Sequence, residues 1–144
     1  LCDCDNNGAI SQMIKVYNKY KCSIIAIEEV PENEISKYGI IAAQEIDKSN
    51  NIFRVTDMVE KPEIGNAPSN MAIVGRYVLT PDIFDILKDI LPDQNNELQI
   101  TSALLKQAKQ GKVIAYKLNG KRFDCGNIKG FIEATNHFAT KFGY

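Results

Sequence analysis

The chain has 144 residues, of which 44% are hydrophobic and 24% charged, with 17 basic against 18 acidic side chains. This composition is typical of a globular domain and excludes a disordered or collagen-like protein. A net charge of −1 provides no bulk field for nucleic acid or an anionic membrane. The longest apolar run, residues 23–27, is far shorter than the ~20 residues that span a bilayer.

The cysteines occupy positions 2, 4, 22 and 125, which gives one C-x-C pair and two isolated residues. A zinc site is not expected, because the chain lacks C-x₂-C pairs and its single histidine, His137, is far from the C-x-C pair. We therefore expect reduced thiols and a cytoplasmic protein. His137 is expected to be a solvated residue on the surface of a helix.

The first elements resemble half of a βαβ unit. Residues 8–21 carry apolar side chains at helical spacing and predict an amphipathic helix. Residues 23–27 follow as a nearly continuous apolar run, the pattern of a strand buried on both faces. The strand that precedes this helix would then end within residues 1–5.

The middle of the chain predicts extended structure. Residues 39–46 and 52–59 form two strands around a polar stretch that suits a hairpin loop. Residues 62–69 contain two prolines and a glycine and predict a loop. Another strand is expected at residues 71–79.

A helix start is predicted at Thr80, as the N-cap, and Pro81, at the first helical position. Asn119-Gly120 is a favoured two-residue hairpin turn. The remaining predicted elements are a helix at 98–110 capped by Gly111, strands at 113–118 and 121–125 around that turn, and a helix at 127–142 with an apolar stripe. The sequence thus predicts an α/β fold, a mixed sheet flanked by helices, in a single domain.

Three clusters could carry chemistry. Glu60 and Lys61, fixed by a proline at the end of a strand, suit sugar hydroxyls and a phosphate, although a solvated charged turn is the commoner role. Asp124 and Asp3 stand at predicted strand ends and could bind Mg²⁺ together, but Asp124 could instead cap a helix and Asp3 could lie in a frayed terminus. Gly39 offers either a close approach to a ligand or a plain turn.

The chain contains six motifs in a defined order, namely Tyr38-Gly39-Ile40-Ile41, Val59-Glu60-Lys61-Pro62, Ala67-Pro68-Ser69-Asn70, Ala72-Ile73-Val74-Gly75-Arg76-Tyr77-Val78, Glu97-Leu98-Gln99-Ile100-Thr101 and Asp124-Cys125-Gly126-Asn127. In their order and spacing they closely resemble the bacterial UTP–glucose-1-phosphate uridylyltransferases (UDP-glucose pyrophosphorylases), a branch of the sugar nucleotidyltransferases. The resemblance implies a Rossmann-like mixed sheet.

The resemblance implies an enzyme that joins UTP and glucose 1-phosphate, with Mg²⁺, to give UDP-glucose and pyrophosphate. It implies that Glu60 binds sugar hydroxyls, that Lys61 binds the sugar phosphate and that Gly39 approaches the glucose. Asp124 and, by a looser match, Asp3 would hold the metal ion. Lys61 and Asp124 would be the catalytic residues.

Two departures from the family pattern matter. Ser102 stands where the family has an aspartate, and no glycine-rich phosphate loop occurs in the chain. We therefore expect residues 1–144 to be the C-terminal, sugar-phosphate-binding portion of a single nucleotidyltransferase domain, inactive by itself. The strand at residues 23–27 would then lack a neighbour on one side, and the isolated chain would aggregate or need a partner chain.

Other readings remain open. The chain could be a non-catalytic sugar-phosphate-binding or regulatory module, or a nucleotidyltransferase for another sugar or base. Neither nucleic acid nor a membrane is an expected partner, and the resemblance is compatible with a homo-oligomer.

Overall fold

The computed structural model describes residues 1–4, 8–93 and 96–144. Asp5, at the end of the predicted first strand, lies outside this range. The chain divides into a larger unit, Ile10–Leu118, and a smaller unit, Leu1–Ala9 with Asn119–Tyr144. No helix in the described part of the chain is long and apolar enough to cross a membrane.

Most elements agree with the predicted ones, although β7 covers only two of the predicted residues 121–125 and α2 starts later than predicted. The strands are β1 (Cys2–Asp3), β2 (Ser23–Glu29), β3 (Gly39–Asp47), β4 (Ile52–Glu60), β5 (Met71–Val78), β6 (Val113–Lys117) and β7 (Lys121–Arg122). The α-helices are α1 (Ala9–Tyr20), α2 (Ile83–Lys88), α3 (Ile100–Lys109) and α4 (Ile128–Phe142), and short 3₁₀ turns occupy Glu32–Lys37 and Lys48–Asn50.

The sheet of the larger unit is mixed, as predicted. Its strands are hydrogen-bonded in the order β2-β5-β3-β4-β6, and β6 pairs in turn with β2, so that the sheet closes on itself. Strand β2 runs parallel to β6 and antiparallel to β5. The expectation of an open edge at β2 is therefore wrong: the strand contributed from Val113–Lys117, distant in sequence, covers that side.

Apolar side chains on both faces of β2 form the core. Ile25 and Ile27 pack with Leu104 of α3, whereas Ile24 packs with Met13 of α1. Helices thus cover both faces of the strand, which explains why its sequence is continuously apolar rather than alternating.

A buried network of hydrogen bonds connects β2 to α3. The Ser23 hydroxyl donates to Gln107 Oε1 at 2.8 Å, and Gln107 Nε2 donates to the Thr80 hydroxyl at 3.0 Å. The predicted role of Thr80 as an N-cap is wrong, because its hydroxyl joins this network and α2 begins only at Ile83. The network fixes the position of α3 against the sheet.

The hairpin between β3 and β4 is confirmed, and its tight turn rests on Asp47. The Asp47 carboxylate accepts hydrogen bonds from Asn50, Ser49 and Lys19, and Asn51 adopts a left-handed conformation with φ 55°. The bonds from Asn50 and then from Lys19 and Ser49 hold the pKa of Asp47 well below its usual range.

The smaller unit is built differently from the prediction. Strand β1 pairs antiparallel with β7, so the predicted βαβ unit and the predicted β6–β7 hairpin are both wrong. Gly120 contacts the β1 backbone so closely that a Cβ would lie 2.5 Å from the Asp3 carbonyl oxygen. The glycine of Asn119-Gly120 is therefore required by packing against β1 rather than by a two-residue turn.

Helix α4 is confirmed. Its N-cap is Asn127, whose side chain accepts a hydrogen bond from the Gly130 amide at 2.8 Å. The predicted apolar stripe is largely exposed, since Ile128 is 80% and Phe131 60% accessible, whereas Ala134 is buried.

Replacing Gln107 by leucine should lower the free energy of unfolding by about 1–3 kcal/mol, because it removes two hydrogen bonds of this network, one with the Ser23 hydroxyl and one with the Thr80 hydroxyl. Urea unfolding of the chain measures this loss. The exposed Gln110, at the end of the same helix, offers a matched control, and Gln110→Leu should change stability little. Equal stability of the two variants would contradict the role of the network.

Asp47→Asn should remove a stabilisation that is fully present above about pH 4 and declines progressively as the pH falls towards 2. A carboxyl whose folded pKa is depressed stabilises the fold above its unfolded pKa of about 3.9, and this contribution disappears as the pH falls through the folded value. Melting temperatures measured from pH 7 to pH 2 provide the test. Asp85→Asn, in an exposed pair with Lys88, is the control and should show a much smaller pH-dependent difference.

Candidate functional site

Gly39 and Glu60 are direct neighbours across the β3–β4 pair. A Cβ at position 39 would lie 3.0 Å from Glu60 Oε2 and 3.2 Å from Thr101 Cγ2. Gly39 is buried within β3, so it is not the plain turn residue that was the alternative. The missing side chain leaves room for the Glu60 carboxylate to lie over the start of β3.

Thr101 anchors the Glu60 carboxylate. Its hydroxyl donates to Glu60 Oε2 at 2.6 Å, and Thr101 itself is 7% exposed in the first turn of α3. The Glu60 side chain is 33% exposed. One carboxylate oxygen is thus held by the protein, and Oε1 remains on the accessible side.

Lys61 turns to the same side as Glu60. Consecutive strand residues ordinarily point to opposite faces. Here Lys61 adopts a left-handed conformation with φ 43°, and its amide donates to the Tyr38 carbonyl at 3.0 Å. The Lys61 Nζ atom consequently lies 4.0 Å from Glu60 Oε1 and is well exposed. A left-handed lysine costs about 1–3 kcal/mol, a strain often found at ligand sites.

Two further features belong to β5 and to the loop that precedes it. Burial raises the pKa of Tyr77, and the charge of Glu60 raises it further, so the phenol stays neutral. Ser69 donates to the Ile41 carbonyl at 2.6 Å and accepts from the Met71 amide at 2.9 Å, which ties the loop after Pro62 to the sheet. Together, Glu60 and Lys61 can accept hydrogen bonds from hydroxyl groups and attract a phosphate.

In the smaller unit, Asp3 binds two basic side chains. Its Oδ1 lies 2.5 Å from Lys141 Nζ and its Oδ2 lies 2.7 Å from His137 Nε2. The hydrogen bonds from Lys141 and then from His137 hold the pKa of Asp3 below its usual range. The expectation that His137 is merely solvated is wrong, since its ring also contacts Phe123, with centroids 4.9 Å apart.

Asp124 keeps its carboxylate exposed. Its Oδ1 accepts a hydrogen bond from the Gly126 amide at 3.1 Å, and the cap of α4 is Asn127, so the helix-capping alternative for Asp124 is wrong. The β1–β7 register places Asp3 opposite Lys121, whereas Phe123 bonds to Leu1. Asp3 and Asp124 therefore lie toward opposite ends of this two-stranded ribbon.

The fit of the predicted Mg²⁺ ligands differs between these two aspartates. Across the described ranges, no group of three or more His, Cys, Asp or Glu residues is placed to hold a metal ion. Mg²⁺ commonly binds one or two carboxylates together with substrate phosphates, and the open Asp124 suits this mode. Asp3 does not, because its two oxygens are already engaged by the Lys141 and His137 side chains.

Residues 4–141 match the nucleotidyl transferase family. The chain belongs to this family. It is 55% identical over 132 residues, 92% of its own length, to the UTP–glucose-1-phosphate uridylyltransferase of Pseudomonas aeruginosa, of which it covers 47%. It is 41% identical over 133 residues to the Staphylococcus epidermidis enzyme of that name, covering 92% of this chain and 46% of that protein.

A solved structure confirms the fold of this nucleotidyl transferase. The crystal structure of UDP-glucose pyrophosphorylase complexed with UDP-glucose matches with a TM-score of 0.91 and 49% identity, covering 98% of this chain and 53% of that one. The predicted family resemblance and the mixed sheet with flanking helices are therefore correct. The chain spans about half the length of the curated relatives it matches.

Thr101 belongs to a motif that carried the resemblance, yet its role was not predicted. Thr101→Val should lower the free energy of unfolding by about 1 kcal/mol, because the partly exposed Glu60 loses a charge-assisted hydrogen bond. Thr101→Ser should retain most of this stability. Urea unfolding distinguishes them, with the exposed neighbour Ser102→Ala as control. A valine variant as stable as the native chain would show that the bond contributes nothing.

Proposed function

We propose that this chain supplies the sugar-phosphate site of a UTP–glucose-1-phosphate uridylyltransferase, which joins UTP and glucose 1-phosphate to give UDP-glucose and pyrophosphate. The observation that carries the proposal is the Glu60–Lys61 pair, in which an anchored carboxylate and an exposed ammonium lie 4.0 Å apart. The proposal is supported by the names of the Pseudomonas aeruginosa and Staphylococcus epidermidis relatives, which are both UTP–glucose-1-phosphate uridylyltransferases.

The chemistry requires little from acid–base groups. A phosphate oxygen of glucose 1-phosphate is already an anionic nucleophile, so attack on the α-phosphate of UTP needs no general base. Catalysis then depends on in-line positioning and on neutralising phosphate charge. Lys61 is the exposed cation for the sugar phosphate, and Glu60 Oε1 is the acceptor for glucose hydroxyl groups.

A role for Mg²⁺ is part of the same proposal. We assign Asp124 as its ligand, since that carboxylate is open, whereas Asp3 would first have to leave Lys141 and His137. When bound, the ion would neutralise negative charge on the phosphates. The proposal also includes a cytoplasmic location and a role in carbohydrate metabolism, the former resting on the expectation of reduced thiols from the cysteine spacing.

The two side chains should contribute differently to ligand binding. Lys61→Ala should weaken binding of glucose 1-phosphate about 10- to 100-fold, the equivalent of one charge-assisted contact, but leave binding of glucose unchanged. Glu60→Gln should weaken both ligands. Titrations of the chain followed by NMR measure both affinities, and Lys88→Ala, at an exposed lysine on α2, is the control.

Equal affinities of the native chain and Lys61→Ala for glucose 1-phosphate would refute the phosphate role of Lys61. Galactose 1-phosphate and mannose 1-phosphate serve as competitors, and tighter binding of either would contradict the glucose assignment. Pyrophosphate release from UTP and glucose 1-phosphate with Mg²⁺ tests the reaction itself. If the chain shows release and Lys61→Ala matches it, the catalytic role of Lys61 is excluded.

A further inference from the structure

Two cysteine side chains meet at the end of β1. Cys2 lies in β1 and Cys4 directly follows the strand, and their Sγ atoms are 2.6 Å apart. Cys4 is 5% exposed, whereas Cys2 is half-buried. Neither residue has a role in the proposed uridylyl transfer, so this contact is independent of that function.

We propose that Cys2 and Cys4 form a redox-active dithiol, which small disulfides such as oxidised glutathione convert to an intramolecular disulfide. The two residues have the arrangement of an attacking and a resolving cysteine: one thiol is accessible, and its buried neighbour is already in contact. The other two cysteines contact backbone carbonyl groups, since Cys22 donates to the Tyr20 carbonyl and Cys125 to the Phe123 carbonyl.

The reaction is two thiol–disulfide exchanges. The Cys2 thiolate attacks one sulfur of oxidised glutathione, which forms a mixed disulfide and releases one glutathione thiolate. The Cys4 thiolate then attacks the Cys2 sulfur and displaces the second glutathione. The protein loses two electrons and two protons, and one oxidised glutathione becomes two molecules of reduced glutathione.

The backbone permits this bond with a small local change. Two residues of extended chain separate Cα atoms by about 6.6 Å, near the upper end of the usual disulfide range of about 4.4–6.8 Å. The Cys4 sulfur lies close to the Gly120 backbone, since a Cβ at position 120 would be only 2.7 Å from it, and it is 2.6 Å from the Cys2 sulfur. The second exchange therefore begins with the two sulfur atoms already in contact.

Oxidation would alter the surroundings of Asp3. The disulfide joins the residues on either side of Asp3, whose carboxylate binds Lys141 and His137 and whose backbone pairs with Lys121. Tightening this short loop should shift the backbone amide signals of Asp3 and Lys121. The signals of β3 and β4, in the larger unit, should move much less.

The test uses the chain with Cys22→Ser and Cys125→Ser, so that only the pair remains. After equilibration with oxidised and reduced glutathione, free thiols are alkylated and the mass of the intact protein is measured by mass spectrometry. We expect loss of both thiols with no glutathione attached, and full recovery with dithiothreitol. In the same background, Cys4→Ser should stop at one stable glutathione adduct on Cys2, and Cys2→Ser should react more slowly.

Peptide mapping of the unsubstituted chain, treated in the same way, repeats the measurement without the serine substitutions. A link between Cys2 and Cys4 there supports the proposal even if the double variant folds poorly. Three results would overturn it: both thiols still alkylated in oxidising buffer, one glutathione on each cysteine, or disulfide-linked dimers. A link of either cysteine to Cys22 or Cys125 would overturn it as well.

Discussion

The hydrogen bond from Thr101 to Glu60 ties the start of α3 to the end of β4, and the geometry of the candidate site depends on it. The bond forms only because Gly39 leaves space over β3 for the carboxylate. The position of α3 is in turn fixed by Gln107, whose buried amide bonds to Ser23 on β2 and to Thr80. A polar network in the core thereby determines the orientation of a carboxylate at the edge of the sheet.

Most elements of the fold could be predicted from local patterns. The helical spacing at the start of the chain and the apolar run of β2 predicted α1 and β2 closely, because both patterns report burial directly. The pairing of strands was harder. Asn119-Gly120 has the sequence of a hairpin turn, but β6 pairs with β2 and β4, and β7 with β1, partners that lie far away in sequence. Turn preferences are local, whereas strand pairing is decided by the whole core.

The candidate site could likewise be predicted only where its contacts join residues that are close in the sequence. Glu60 and Lys61 were identified together as a candidate pair, because they are adjacent in the sequence and the turn at Pro62 is a local event. Thr101 was missed, since its contact with Glu60 joins residues 41 positions apart. His137 was misjudged for the same reason, because its partner Asp3 is 134 positions away. A histidine surrounded by polar residues in sequence gives no sign of such a partner.

The three acidic residues of interest differ in how much of their charge the protein itself satisfies. Asp3 has one oxygen bonded to Lys141 and the other to His137, so a ligand would have to compete with two existing bonds. Glu60 has one oxygen bound to a neutral hydroxyl and the other 4.0 Å from the exposed Lys61 ammonium, which fixes its orientation without a close bond to a cation. Asp124 has a single bond from a backbone amide. A carboxylate that is oriented but incompletely neutralised is the one prepared for a ligand, which favours Glu60 and Asp124 over Asp3 as the groups that meet substrate and metal ion.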